Sequence, residues 1–279
     1  MNPILWKPTQ NQINISQIED FRKQVNARFN IDLKDYYALH DWSVSNIADF
    51  WKSIWGFMAI KTSSDYTQIV DDESKMPGAK WFKGVQFNFA ENLLRIQSDK
   101  PAIHFKGEYN PVRTFSYNEL FDNVEKIASS LKKMGVQNGD RVVGFMPNIP
   151  ETIIAMLATT SIGAIWSSSS PDFGVKGLLD RFTQIEPKVM FAANGYYYKG
   201  KRFDSIIKLN SILDYLPSIK QVIITPYTEL NPDITFVKKS IMWNDFLDPN
   251  PNSLEFEQLP FNHPLYIMYS SGTTGLPKS

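Results

Sequence analysis

No cysteine occurs among the 279 residues. A disulfide framework, a thiolate nucleophile and a thiolate zinc site are therefore excluded, and the composition fits a reducing compartment. Excess charge is missing too. Lysine and arginine balance aspartate and glutamate at 29 each, so no overall field draws the chain toward nucleic acid or an anionic membrane. No apolar run reaches the ~18 residues a membrane span needs. The opening MNPILWKPTQNQ lacks a basic head before an apolar core. The expectation is a cytoplasmic protein with neither nucleic-acid nor membrane partners. His40, His104 and His263 stand apart with no ligand-like spacing, so a structural role is expected for each and no metal site within the chain.

What is present suits one large α/β domain preceded by a smaller helical segment, with boundaries at 1–95 and 96–279. In SVSNIADFWKSIWGF, the residues Val44, Ile47, Phe50, Trp51, Ile54 and Trp55 recur at helical spacing, with Ser45 as the expected N-cap. Asn88 and Glu91 predict a capping box opening a short helix, and Ser116 with Glu119 predicts another. From about residue 96 the pattern alternates. PAIHF, RVVGFM, AIWSS, KVMFAA, QVIIT and LYIMY read as strands, and the segments between most of them as helices. Such alternation implies right-handed crossovers and a mainly parallel sheet with flanking helices. The polar, proline-bearing stretch 225–251 reads as surface connection.

The last strand runs into YSSGTTGLPKS. Gly272 and Gly275 permit positive φ, so successive N–H groups can converge on one anion. Ser270, Ser271, Thr273 and Thr274 add hydroxyl donors, and Lys278 adds a point charge for a phosphate oxygen. Pro277 keeps Leu276 extended. A Walker-type loop needs lysine directly after its second glycine; here Leu276 and Pro277 follow Gly275, and that match fails. A flexible tail is the plainer reading, but the preceding strand and following Pro-Lys favour nucleotide phosphate binding.

YSSGTTGLPK resembles the phosphate-binding signature of the AMP-forming acyl-CoA synthetases, in the adenylate-forming superfamily. WSVSNIADFWKSIW, FNFAENLLR, GDRVVGFMPNIPE, SIGAIWSSSSPDFGVKGLLDRF and FEQLPFNHPLYIMYSSGTTGLPK are similar to its acetoacetate-activating branch. Ser279 departs from the glycine that many members carry there. The resemblance implies ATP and CoA as co-substrates and acetoacetate as the carboxylate, with acetate or propionate as the alternative. An acyl-adenylate and pyrophosphate form first; the CoA thiol then displaces AMP. It assigns the β- and γ-phosphates to the loop, with Thr273, Thr274 and Lys278 foremost and Lys278 and Thr274 catalytic. It also implies that magnesium ligands, the carboxylate pocket and a mobile lid lie beyond Ser279. The chain is expected to be the first part of a longer ligase, or alternatively a non-catalytic truncated product, and in either case no competent ligase alone.

Two weaker candidates remain. In residues 196–203, YYYKGKRF, rings alternate with Lys199, Lys201 and Arg202, which suit the adenine and 3′-phosphate of CoA; a solvated basic loop at a helix start is the other reading. Residues 167–174, SSSSPDFG, line the CoA and acyl tunnel by resemblance, or form a capped turn. The Asp-Phe-Gly within them has no accompanying kinase elements, so a kinase is discarded.

Overall fold

In the computed structural model residues 3–270 are described, and they divide into two units. One lies within 1–86 plus 260–262; the other holds the remainder. The first unit contains α1 (Gln10–Asn14), α2 (Gln17–Phe29), α3 (Tyr36–Ser45), α4 (Ile47–Phe57), β1 (Gln68–Val70), β2 (Trp81–Lys83) and, at its boundary, β3 (Gln86–Phe87). Thr9, Ser16 and Asp35 each cap a helix by accepting a backbone N–H three residues on. Phe21, Val25 and Leu39 form a small core, where Phe21 meets Phe50 and Phe57 edge-on at 5.9 and 5.3 Å.

One expectation is corrected in this unit. Ser45 ends α3 instead of opening a helix. The chain breaks at Asn46, whose Nδ2 donates to the Trp42 carbonyl at 3.0 Å. A side chain that satisfies a helical carbonyl lets the backbone leave the helix, so the apolar run is split and Val44 is exposed. After α4 the mostly helical segment adds two short strands. β1 and β2 pair antiparallel, with Val70 opposite Trp81. Their connection is organised on Asp71, which accepts from Lys75 Nζ and from the Lys80 N–H, each at 2.8 Å. Lys75 first, then that N–H, hold the Asp71 carboxyl down at about 2.

The second unit runs α5 (Phe89–Leu93), β4 (Pro101–Phe105), β5 (Arg113–Ser116), α6 (Tyr117–Lys133), β6 (Arg141–Phe145), α7 (Pro150–Ser161), β7 (Ile165–Ser169), α8 (Val175–Ile185) and β8 (Val189–Ala193). It continues with β9 (Gly195–Tyr198), β10 (Lys201–Asp204), α9 (Ile206–Leu213), β11 (Gln221–Thr225), β12 (Ser240–Met242), α10 (Trp243–Phe246), β13 (Leu259–Pro260) and β14 (Tyr266–Ile267). Six strands form one sheet in the order β12-β11-β8-β6-β7-β14, and every neighbouring pair is parallel. The fold is α/β, as expected.

Strand periodicity sorts the core into two layers. Val142, Val189, Phe191 and Ile223 pack with α6 and α7, whereas Val143, Phe145, Met190, Ala192, Val222 and Ile224 pack with α8 and α9. Strands covered on both faces read as continuous apolar runs, which is what VVGF, VMFAA and VIIT are. The Ser116–Glu119 capping box is present in full, Asn88 caps α5, and Pro150 occupies the first turn of α7. Gly144 is required by its neighbour: a Cβ there would lie 2.7 Å from Trp166 Cζ2.

Three readings of this unit change. PAIHF leaves the main sheet and pairs antiparallel with β5. The stretch 225–251 is not merely surface, because β12 forms the sheet edge and Trp243 and Phe246 are buried in the core. LYIMY contributes only Tyr266 and Ile267 as strand. No helix among the described residues is long and apolar enough to cross a membrane.

Candidate active site

The strand order places a switch point between β6 and β8. From β6 the chain crosses to β7 on one side; from β8 it proceeds to β11 on the other. The crevice outside the carboxyl ends at such a point is where ligands of open α/β sheets sit. Asn194 follows β8 directly and is buried. Its Oδ1 accepts from the N–H of Tyr227 at 2.7 Å and Thr228 at 3.0 Å, and its Nδ2 donates to the Glu229 carbonyl at 2.9 Å. One amide thus ties the end of β8 to the segment leaving β11.

The serine run ends β7 at the same side. Ser167 is buried and donates to the Ile267 carbonyl at 2.8 Å, joining β7 to β14. Ser169 Oγ is buried without a partner among the described residues, and Ser168 and Ser170 are exposed. Residues 170–173 turn back, with the Phe173 N–H donating to the Ser170 carbonyl at 3.2 Å, before Gly174 caps α8. A turn and an unsatisfied hydroxyl therefore coexist here. On the α7 side of β7, Ile153, Met156, Trp166, Tyr266 and Met268 wall a cavity of about 280 Å³.

Arg181 links this turn to the end of β14. Its guanidinium lies 4.2 Å from the Phe173 ring centre and 5.6 Å from that of Tyr269. The Tyr269 hydroxyl donates to the Arg181 carbonyl at 3.0 Å, and burial pushes that phenol up. Ser270 is exposed. The phosphate-loop residues Ser271, Gly272, Thr273, Thr274, Gly275 and Lys278 lie outside the described residues.

Residues 196–203 are neither a loop nor a helix start. They form an antiparallel hairpin, β9 with β10, in which Tyr197 pairs Arg202 and Tyr196 pairs Phe203. Lys199 and Gly200 make the turn at positive φ, 51° and 76°. The Tyr196 and Phe203 rings stack at 5.0 Å, and Lys208 Nζ sits 5.6 Å from the Tyr196 ring centre. The same Nζ donates to the Pro171 carbonyl at 3.0 Å. Lys208 therefore brings the hairpin and the serine turn together. Sequence reasoning missed it, as its spacing on α9 is that of any exposed lysine. Of the three cations, Lys199 covers the Tyr198 ring, and Arg202 pairs with Glu229 at 2.6 Å in an exposed bridge that costs little to open. The Lys201 amino group has no partner among the described residues.

Two of the histidines sit within hydrogen-bond reach of neighbouring groups. His263 Nε2 lies 2.9 Å from the Gly163 carbonyl, and His104 Nδ1 lies 3.0 Å from Thr114 Oγ1. Among the described residues no group of three histidines, aspartates or glutamates is arranged to hold a metal ion.

The model of a family described as "AMP-binding enzyme" matches residues 90–279. The chain belongs to that family. A second model, "Acetyl-coenzyme A synthetase N-terminus", matches residues 36–93. Acetoacetyl-CoA synthetase of Danio rerio is 42% identical over 286 residues, covering 99% of this chain and 42% of that protein. Acetoacetyl-coenzyme A synthetase of Rhizobium meliloti (strain 1021) is 41% identical, covering 98% and 42%. A malonamoyl-CoA synthetase of Penicillium aethiopicum is 35% identical, covering 99% and 40%. The solved structure of acetoacetyl-CoA synthetase from Streptomyces lividans superposes with a TM-score of 0.91 at 36% identity, covering 99% of this chain and 42% of that one. This member of the AMP-binding family thus spans about 42% of the length of the acetoacetyl-CoA synthetases it matches.

Proposed function

We propose that the protein carrying this chain activates acetoacetate with ATP and transfers the acyl group to CoA. The observation that carries the reading is YSSGTTGLPK beginning one residue after β14, a strand of the parallel sheet, in an AMP-binding family member. An acetoacetate oxygen attacks the α-phosphorus of ATP, and the bond to the bridging oxygen breaks to release pyrophosphate. The CoA sulfur then adds to the acyl carbon, its proton goes to solvent, and AMP leaves.

The loop hydroxyls of Ser270, Ser271, Thr273 and Thr274, the backbone at Gly272 and Gly275, and the Lys278 ammonium would hold the β- and γ-phosphates and take up the charge of the departing pyrophosphate. Lys199, Lys201 and Arg202 would meet CoA phosphate. Magnesium would neutralise phosphate charge when bound; no described residue is assigned to it. A cytoplasmic setting belongs to the same reading, with no nucleic-acid or membrane partner.

The choice of acid draws support from the relatives' names. Acetoacetyl and malonamoyl groups both carry a carbonyl at their third carbon, which acetyl and propionyl groups lack. A panel of carboxylates in pyrophosphate–ATP exchange on the full gene product tests this, with acetoacetate expected to give the highest kcat/KM. A preference for acetate or propionate would sink it. Lys278→Ala and Thr274→Ala are expected to lower that exchange on the order of 10²–10³-fold while the protein remains folded.

A further inference from the structure

The tip of the β9–β10 hairpin is gripped from outside. The consecutive N–H groups of Lys199 and Gly200 both donate to the Glu108 carboxylate, at 3.2 and 2.8 Å. The next residue, Tyr109, donates its hydroxyl to the Gly200 carbonyl at 3.0 Å and rests its ring on Tyr197 at 4.9 Å. Three contacts therefore run from one dipeptide, in the connection between β4 and β5, to the turn that carries Lys199 and precedes Lys201, and a fourth reaches Tyr197 on β9.

Consecutive N–H groups in a turn of this kind are a ready anion site. Here a carboxylate of the same chain fills it, so a ligand phosphate would be met by the side chains around the tip and not by its backbone. Both Glu108 and Tyr109 are exposed, away from the two core layers. The visible product of their contacts is a fixed hairpin tip. Long cationic side chains lose affinity to their own freedom, and fixing the backbone they spring from removes part of that cost.

We propose that Glu108, with Tyr109, is a positioning residue for CoA, fixing the tip from which Lys199 and Lys201 reach its 3′-phosphate. The inference rests on the reading of the hairpin as the CoA contact. It has a distinctive sign. Glu108 is an anion beside lysines, so by charge alone its removal would tighten phosphate binding; a positioning role predicts weaker binding.

The test is calorimetric titration of the full gene product with CoA and with dephospho-CoA, which lacks the 3′-phosphate, recording a thermal midpoint for each variant. E108A is expected to weaken CoA about tenfold and to leave dephospho-CoA unchanged. E108Q, which keeps one oxygen acceptor for the turn, should fall between E108A and wild type, with midpoints alike. E108A binding CoA as tightly as wild type, or more tightly, overturns the inference, as does an equal loss of both ligands. K199A and K201A separate the two levels. If they weaken CoA and E108A does not, positioning alone fails. If they do not, or if wild type is indifferent to the 3′-phosphate, the hairpin reading fails and positioning falls with it.

Discussion

A methyl group added at Gly195 would sit 2.5 Å from the Phe203 carbonyl oxygen and 2.6 Å from Thr228 Oγ1. The first of these is backbone of the paired strand and has no rotamer to escape into. Gly195→Ala is therefore expected to destabilise the protein by about 1–3 kcal/mol, read as a lower urea midpoint at unchanged slope. A midpoint equal to wild type would mean that the hairpin shifts freely. Asp248 gives the pH counterpart. It is buried, and it accepts from Lys133 Nζ at 2.5 Å and from the Ser129 hydroxyl. Those two bonds, Lys133 first, hold its carboxyl below the ordinary 3.8. A carboxyl depressed in the folded state stabilises fully above its unfolded value and loses that contribution as pH falls through the folded one. Wild type should thus exceed Asp248→Asn in stability at neutral pH, with the gap closing below about pH 3.8. A gap constant down to pH 3 would refute the assignment.

At the level of elements, helices with chemical punctuation were readable from sequence. Ser116 with Glu119 and Pro150 mark their helix starts correctly because each acts within one turn of chain. Elements decided by distant partners were not. Tyr196–Tyr197–Tyr198 could have opened a helix; pairing with residues 201–204 and the Lys199–Gly200 turn make it a strand. Likewise β12, within a polar stretch, is a strand because β11 offers it a parallel edge. The α8 layer gives a direct test. Leu178 is fully buried among core residues of β6, β8 and α9. Leu178→Ala is expected to cost about 2–5 kcal/mol, seen as an earlier unfolding transition. A smaller loss would indicate that α8 collapses onto the cavity.

For the whole molecule, the parallel sheet was legible because alternating strand and helix patterns admit few other solutions. The site was legible only in part. Its phosphate signature is local, whereas Asn194, Lys208 and Glu108 act through residues far along the chain and resemble ordinary surface or turn residues in sequence. Because the chain covers about 42% of its relatives' length, residues 1–279 expressed alone are expected to give no carboxylate-dependent pyrophosphate–ATP exchange; measurable exchange would refute that. The grip on the hairpin also bears on how members of this family could trade parts. The tip at 199–200 is seated by Glu108 and Tyr109, and Arg202 is matched to Glu229. A graft of residues 195–204 from a relative would arrive without its socket. Three short segments would have to travel together for the transplant to take.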